Sequence, residues 1–101
     1  MTRTSFTDGS GRWFNKNAAT SYEEHTWFNG NNRISTNTGS QWDHEELFLT
    51  KSNKWVMHSW SQWQGSGYSY EEISESEAHK WLLKNEHFTA VPDDTVAEME
   101  V

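Results

Sequence analysis

The sequence predicts an α+β fold, in which a mainly antiparallel β-sheet of hairpins carries one C-terminal α-helix packed on one face. Turn-forming residues recur along the first two thirds of the chain and separate short aromatic and β-branched runs, as at Asn29 and Gly30. Such spacing is typical of hairpins. After residue 73 the apolar residues recur instead with helical periodicity. The length of 101 residues fits a single domain.

The strands of the sheet are predicted from the runs between these turns. Residues 15–24 and 36–43 are polar and rich in turn-forming residues, so they are predicted to be loops. Seven segments are predicted as strands: residues 4–8, 11–15, 25–28, 33–36, 45–50, 54–63 and 68–73.

The two predicted strands around residues 51–53 form a hairpin with a three-residue loop. In that register Leu47 faces Met57 and Glu46 faces His58. Because successive side chains of a strand point to opposite faces, the hairpin has two different faces. The apolar face is predicted to join the core: Leu47, Leu49, Trp55 and Met57. The mixed face is predicted to stay free for a partner: Glu46, Phe48, Val56, His58, Trp60 and Gln62.

Residues 73–87 predict the helix. Ser74 and Glu77 match a capping box, in which each side chain accepts a hydrogen bond from an otherwise unpaired backbone N–H at the helix start. Trp81 and Leu82 lie at the centre of the apolar stripe of this helix. We therefore expect these two side chains to cover the apolar face of the hairpin.

The end of the chain is acidic. Pro92 and the two aspartates after it predict either a short helix or a frayed tail. The single domain, residues 1–101, is thus predicted to comprise a variable β-hairpin region over 1–46, a strand–strand–helix module over 47–88 and an acidic tail over 89–101.

Charge and composition restrict the classes of partner. The formal net charge is −7, and residues 71–101 carry nine acidic side chains against Lys80 and Lys84. This balance argues against direct nucleic-acid binding through a basic patch and favours a protein partner with a basic surface. The chain has no cysteine, which excludes disulfides, cysteine-based zinc sites and thiol catalysis.

Apolar segments long enough for a membrane are not found in the sequence. It shows neither an apolar leader nor a run of about 20 apolar residues, which a membrane span requires. We expect no membrane partner, and a cytoplasmic location in a bacterium or a phage-infected host cell. No cofactor is predicted, and the pattern favours no particular oligomeric state.

Trp60 is predicted to anchor a partner, because a tryptophan ring brings a large and rigid contact area to an interface. His58, Gln62 and Glu46 are predicted to bind beside it. The alternative is that Trp60 is buried, with its indole N–H bonded internally, and Trp63 is predicted to join the core side. Six acidic residues are predicted to meet the basic surface of the partner: Glu71, Glu72, Glu75, Glu77, Asp93 and Asp94.

No constellation of catalytic residues is found, so we expect a protein that is not an enzyme. Two other classes stay open. Trp60 and Trp63 could stack on a sugar, and Gln62 and Gln64 could hydrogen-bond its hydroxyls, as in a carbohydrate-binding module. Residues 43–46 with His58 across the hairpin could hold a metal ion, as in a small metal-dependent or hydrolytic enzyme. Their spacing matches no known ligand signature.

A distinctive pattern of residues spans the second half of the chain, over 47–88. It comprises Lys54, Trp55, Val56, Ser61, Gln62, Trp63, Gln64, Gly65, Ser66, Tyr70, Glu71, Ile73, Ser74, Glu77, Ala78, Trp81, Leu82, Leu83 and Asn85. This pattern resembles a group of small uncharacterised bacterial and mobile-element proteins. The resemblance implies a strand–strand–helix module and a prokaryotic or phage setting.

Together these features lead to one main hypothesis of function. The chain is expected to be a non-catalytic binding protein that occludes the surface of a protein partner. In its most specific form it is a phage or mobile-element inhibitor of a host defence complex, such as an anti-CRISPR. Acidic side chains can occupy a cleft that is lined with Lys and Arg for nucleic-acid phosphates.

Overall fold

The computed structural model describes residues 3–36, 38–62 and 67–101. These ranges contain eight strands in antiparallel sheets, followed by two C-terminal α-helices, which confirms the predicted α+β class. The elements are β1 (Arg3–Ser5), β2 (Trp13–Asn15), β3 (Thr20–Glu23), β4 (Thr26–Phe28), β5 (Arg33–Ser35), β6 (Asp43–Leu49), β7 (Trp55–Ser61), β8 (Tyr68–Ile73), α1 (Glu75–Lys84) and α2 (Asp93–Glu98).

The main sheet has four strands in the order β3-β6-β7-β8. Between β6 and β7, Leu47 lies opposite Met57 and Glu46 lies opposite His58, so the predicted register is confirmed. The turn closes when the Thr50 N–H donates to the Lys54 carbonyl oxygen at 2.8 Å. Asn53 completes it with a φ of 63°, in the left-handed region that asparagine tolerates better than most residues.

Strand β3 corrects the prediction of a loop over 15–24. Thr20–Glu23 pairs with β6 at the edge of the sheet, where Tyr22 lies opposite Leu47. The four residues carry a single apolar side chain, so alternation could not reveal them. The Tyr22 ring contacts Trp55, with 6.1 Å between ring centroids, and this tertiary contact supports a strand that its own sequence does not favour.

The first face of the sheet packs on α1, as predicted. Its core consists of buried residues from the sheet, α1 and the segment after α1: Leu47, Ala78, Trp81, Leu82 and Val91. Ser74 caps α1, because its side chain accepts a hydrogen bond from the Glu77 N–H at 3.1 Å. Each fully buried aliphatic side chain here contributes roughly 1.5–3 kcal/mol of hydrophobic stabilisation.

The acidic end of the chain is helical and contributes to this core. Helix α2 follows Pro92, so the short-helix alternative is the one observed. Val91 is only 4% exposed, and Val96 packs against the same cluster. Neither helix among the described residues has the length and apolar character needed to cross a bilayer.

The second face of the sheet corrects a further prediction, because part of it is covered. Phe14 of β2 packs in a second core with Phe48, Val56 and Tyr70, and Phe6 lies against it. The hairpin of β1 and β2 therefore covers the part of this face around Phe48 and Val56, which was expected to be free. Sequence alternation assigns these side chains to a face but cannot show what packs on it.

Candidate functional site

The uncovered half of the second face is a continuous surface across the four strands, which we call the open face. Two rows of residues form it. The first row runs in register from β3 to β8 as Glu23, Glu46, His58 and Tyr70. It ends at the boundary with the second core, where Tyr70 is buried against Phe14. The second row runs from β6 to β8 as His44, Trp60 and Tyr68. Acidic side chains therefore lie towards β3, and aromatic side chains lie towards β8.

The aromatic half of the open face is a stacked cluster. The His58 ring stacks on Tyr70 with centroids 4.1 Å apart and an interplanar angle of 5°. It also stacks on Trp60 at 4.6 Å. Tyr68 meets Tyr70 edge-on and is 66% exposed. Because packing already restricts these rings, a partner that contacts them loses little side-chain entropy.

Trp60 separates two clefts. On one side is a cleft of about 640 Å³ between the aromatic cluster and β1, lined by Arg3, Thr4, Ser5, His58, Trp60, Tyr68 and Tyr70. On the other side is a cavity of about 430 Å³ lined by Trp60, Thr26 and four glutamates, Glu23, Glu24, Glu45 and Glu46. One tryptophan is thus next to both an aromatic groove and an acidic cavity.

Burial changes the protonation behaviour of the Glu46 and His58 pair. The pKa of Glu46 is raised, and burial is the largest cause. The positive charge of Lys16 lowers this pKa, and the negative charge of Glu23 raises it. Burial and then the positive charge of Lys16 lower the pKa of His58 to about 4. The Nδ1 atom of His58 lies 3.7 Å from Glu46 Oε1 and has no hydrogen-bond partner among the described residues. His58 is therefore neutral near pH 7, and its buried nitrogen destabilises the fold.

Lys16 brings a positive charge to this cluster from outside the main sheet. It lies directly after β2, and its Nζ atom is 3.3 Å from the Tyr70 hydroxyl. The same ammonium lies 5.5 Å from the centre of the Phe48 ring, within the range of a cation–π contact. Lys16 was not predicted, because 54 positions separate it from Tyr70 and no local pattern connects them.

Glu24 and His44 form a polar network under the acidic end. Glu24 accepts hydrogen bonds from the Ser35 hydroxyl at 2.7 Å and from the Glu45 N–H at 2.9 Å, and it also bonds His44 Nδ1. His44 Nε2 donates to the Gln41 carbonyl oxygen at 3.0 Å. These bonds occupy both nitrogens of His44 and hold its ring beside Trp60.

The hydrogen bonds of His44 concern the predicted alternative in which residues 43–46 and His58 hold a metal ion. No group of three or more His, Asp or Glu side chains in the described ranges is arranged to hold a metal ion. His44 bonds Glu24 instead of joining His58, and His58 contacts Glu46 as the predicted cross-strand pair.

Three of the predicted binding residues lie together, and most of the predicted acidic residues lie on the opposite side of the sheet. His58, Glu46 and Trp60 lie together on the open face, with Trp60 partly buried. Gln62 follows β7, is exposed, and its N–H donates to the Trp42 carbonyl oxygen at 2.9 Å. Trp63, predicted for the core side, and Gln64, predicted with it for sugar binding, lie outside the described residues.

The predicted acidic residues do not form one surface with Trp60. Glu72 shares the second face but pairs with Arg12 at 2.7 Å, and Arg12 lies in the turn between β1 and β2. Glu71 lies opposite Met57 on the helix side of the sheet. The others begin α1 or α2, which are on that same side: Glu75, Glu77, Asp93 and Asp94. The sheet separates them from Trp60 because both helices cover the Leu47 face.

Tyr68 and Tyr70 also belong to the site and were not predicted. Their alternation with Ser69 places both rings on one face of β8. The pairing of β7 with β8 then places Tyr70 opposite His58 and Tyr68 opposite Trp60. A signal for them was present in the sequence, but it required the register of a second hairpin.

Comparison of the chain with protein-family models, with curated proteins and with solved structures found no match. The resemblance of residues 47–88 to mobile-element proteins therefore stays a prediction.

Proposed function

We propose that the protein is a non-catalytic binding protein, which occludes the surface of a protein partner with its open face. The observation that carries the proposal is the position of Trp60, which lies on a stacked aromatic cluster between a groove and an acidic cavity. Binding energy at protein interfaces concentrates in such anchored aromatic residues. Stacking on His58 holds the anchor in place before the partner arrives.

The partner surface in this proposal is basic. Glu23 and Glu46 lie at one end of the open face, next to Trp60. The acidic residues on the helix side do not contact the open face, but they add to the net charge of −7. A field of one sign increases the rate at which an oppositely charged partner associates. The helix-side acids would then act on association rate, and Trp60 on dissociation rate.

In its most specific form the proposal is an inhibitor of a host defence complex, of the anti-CRISPR kind, that acts in the cytoplasm of a bacterium or a phage-infected cell. Support comes from the small acidic chain, from the resemblance of residues 47–88 and from the open face with its acidic end. A nucleic-acid cleft of such a complex is lined with Lys and Arg, and it presents the chemistry that Glu23 and Glu46 complement.

The test is capture of partners from a bacterial lysate by the immobilised protein, by Trp60→Ala and by Trp27→Ala. Trp27 is 50% exposed and belongs to the separate hairpin of β4 and β5, so its replacement is a matched loss of a surface ring. We expect Trp60→Ala to abolish capture and Trp27→Ala to leave it unchanged. Rising salt should weaken binding steeply. Equal capture by all three proteins would refute the proposal.

A carbohydrate-binding role is the second candidate, and one observation favours it. The groove combines the aromatic rings of Trp60, Tyr68 and Tyr70 with the hydroxyl-bearing residues Thr4 and Ser5 of β1. Rings that stack on a sugar and hydroxyls that hydrogen-bond it are the groups such a site requires. A glycan array probed with the wild-type protein and Trp60→Ala decides between the candidates, because only a sugar-binding groove gives signals that depend on Trp60.

A further inference from the structure

We propose that the partner contributes an extended basic segment, which adds as a strand to the free edge of β1 and places a Lys or Arg side chain over Trp60. This inference rests on the proposed function and specifies how the partner binds. Three features of the described residues support it: the direction of the backbone groups of β1, the shape of the groove, and the charge beside Trp60.

The outer edge of β1 has unpaired backbone groups. The Phe6 N–H donates to the Arg12 carbonyl oxygen at 3.0 Å, and hydrogen-bonded pairs alternate along an antiparallel ladder. The bonded pairs therefore continue at Thr4, and the backbone groups of Arg3 and Ser5 point away from β2. Thr7, two residues after Ser5, agrees with this assignment, because its N–H donates outward to the Tyr70 carbonyl oxygen at 3.0 Å.

The groove lies between this edge and the edge of β8. At Tyr70 the two edges are joined, since the Tyr70 N–H also donates to the Thr7 hydroxyl oxygen at 3.0 Å. By the same alternation Tyr68 directs its backbone groups outward, towards the groove. Beyond the junction, the residues of β1 and Tyr68 line the cleft of about 640 Å³. Two strand edges that separate in this way leave room for a third strand.

Free strand edges are usually covered or blocked in soluble proteins, because they pair readily with other chains. Strand β1 has three residues, and a matching segment of the partner would extend about 10 Å at roughly 3.3 Å per residue. Main-chain hydrogen bonds then supply affinity, and alternate side chains enter the adjoining pocket and supply specificity.

The acidic cavity beside Trp60 favours a cation at that end of the groove, whereas the groove itself is lined by the cationic Arg3. Trp60 lines both the groove and the acidic cavity, so a long side chain that leaves the groove passes over the indole and reaches Glu23 and Glu46. A cation over an aromatic face is stabilised within about 6 Å of the ring. Glu46 is a carboxyl whose pKa burial raises, and a cation placed beside it favours its ionised form.

The test is selection from a library of random peptides of about seven residues, long enough for a strand that pairs with β1 and extends past it. The full chain is the bait. We expect enrichment of Lys or Arg at one position between β-branched residues. The selected peptide should bind Trp60→Ala and Glu46→Gln roughly tenfold more weakly or worse. It should bind Trp27→Ala with unchanged affinity, and its N-methylated form should not bind.

Hydrogen exchange of the chain gives the readout for strand addition. Bound peptide should slow exchange of the Arg3 and Ser5 amides and leave the Thr4 amide, already paired with β2, unchanged. Failure to enrich any peptide, enrichment of acidic peptides, or unchanged exchange at Ser5 would each overturn the inference. If a folded partner is still captured through Trp60, the proposed function stands without strand addition. If neither a partner nor a peptide depends on Trp60, both proposals are wrong.

Discussion

Replacement of His58 by phenylalanine should remove a loss of stability at low pH. The folded chain holds His58 neutral, with a pKa lowered from an ordinary value of 6.5 to about 4. The unfolded chain therefore binds a proton at higher pH than the folded chain does. Stability from this group is present above pH 6.5 and is lost as the pH falls towards 4. Phenylalanine can keep the contacts with Tyr70 and Trp60 but does not titrate.

The magnitude follows from the two pKa values. Between about pH 7 and pH 5, a group with these values reduces the free energy of unfolding by about 2 kcal/mol. The His58 side chain is only 15% exposed, so screening by solvent removes little of this effect. With a urea m-value of about 1–1.5 kcal/mol/M, the unfolding midpoint falls by roughly 1.5 M.

Urea unfolding at both pH values, followed by tryptophan fluorescence, measures the effect. His58→Phe should equal or exceed the wild-type protein in stability near pH 7, because the unpaired Nδ1 is gone. Near pH 5 the free energy of unfolding of His58→Phe should exceed that of the wild-type protein by about 2 kcal/mol. Tyr68→Phe is the control, since it changes the same cluster without a group that titrates in this range. A pH dependence as steep in His58→Phe as in the wild-type protein would show that His58 is not held neutral.

Three further predictions test other parts of the structure by the same unfolding measurement. Glu46→Gln should raise stability near pH 7, because a raised folded pKa means that the ionised carboxylate is disfavoured in the fold; a lower midpoint would contradict this. Phe14→Ala should lower the free energy of unfolding by about 3–5 kcal/mol. Trp13→Ala removes a ring that is 45% exposed, so it should lower the free energy of unfolding by less than about 1 kcal/mol. Similar losses of stability in the two variants would mean that the hairpin does not pack on the sheet. Ser74→Ala removes the helix cap and should lower the free energy of unfolding by about 1 kcal/mol. Ser74→Asp should keep the cap and the wild-type stability.

The register of the central hairpin could be predicted because two independent signals agreed. The loop at 51–53 determines which residues face each other, and the apolar residues Leu47 and Met57 then fall on one face with Trp55. Helix α1 was predictable for the same reason, since its cap at Ser74 and its apolar stripe indicate the same segment.

Strand β3 and the cover of the second face could not be predicted, because neither is determined locally. Tyr22 is the single apolar residue in β3, and it is ordered by pairing with β6. Phe14 and Phe48 are 34 positions apart by their numbering, and nothing near either one indicates that their rings meet.

In the candidate site, too, only the residues whose positions are determined locally could be predicted from the sequence. Glu46, His58 and Trp60 follow from the hairpin register, so alternation alone places them on one surface. The pairing of Lys16 with Tyr70 and the approach of Arg3 to the groove depend on where the N-terminal hairpin docks. The predicted acidic residues were assigned to the partner surface by charge alone, and charge carries no information about which side of a sheet a helix occupies.

The contact between Thr7 and Tyr70 joins residues 63 positions apart, and it has a consequence for biosynthesis. The ribosome makes the first hairpin before the strands on which it rests exist. That segment must therefore wait, in contact with water or a chaperone, until β8 has emerged and paired. A chain shortened by its first fifteen residues would keep the helical half of its core but expose Phe48 and Val56, and it should self-associate more strongly than the full chain.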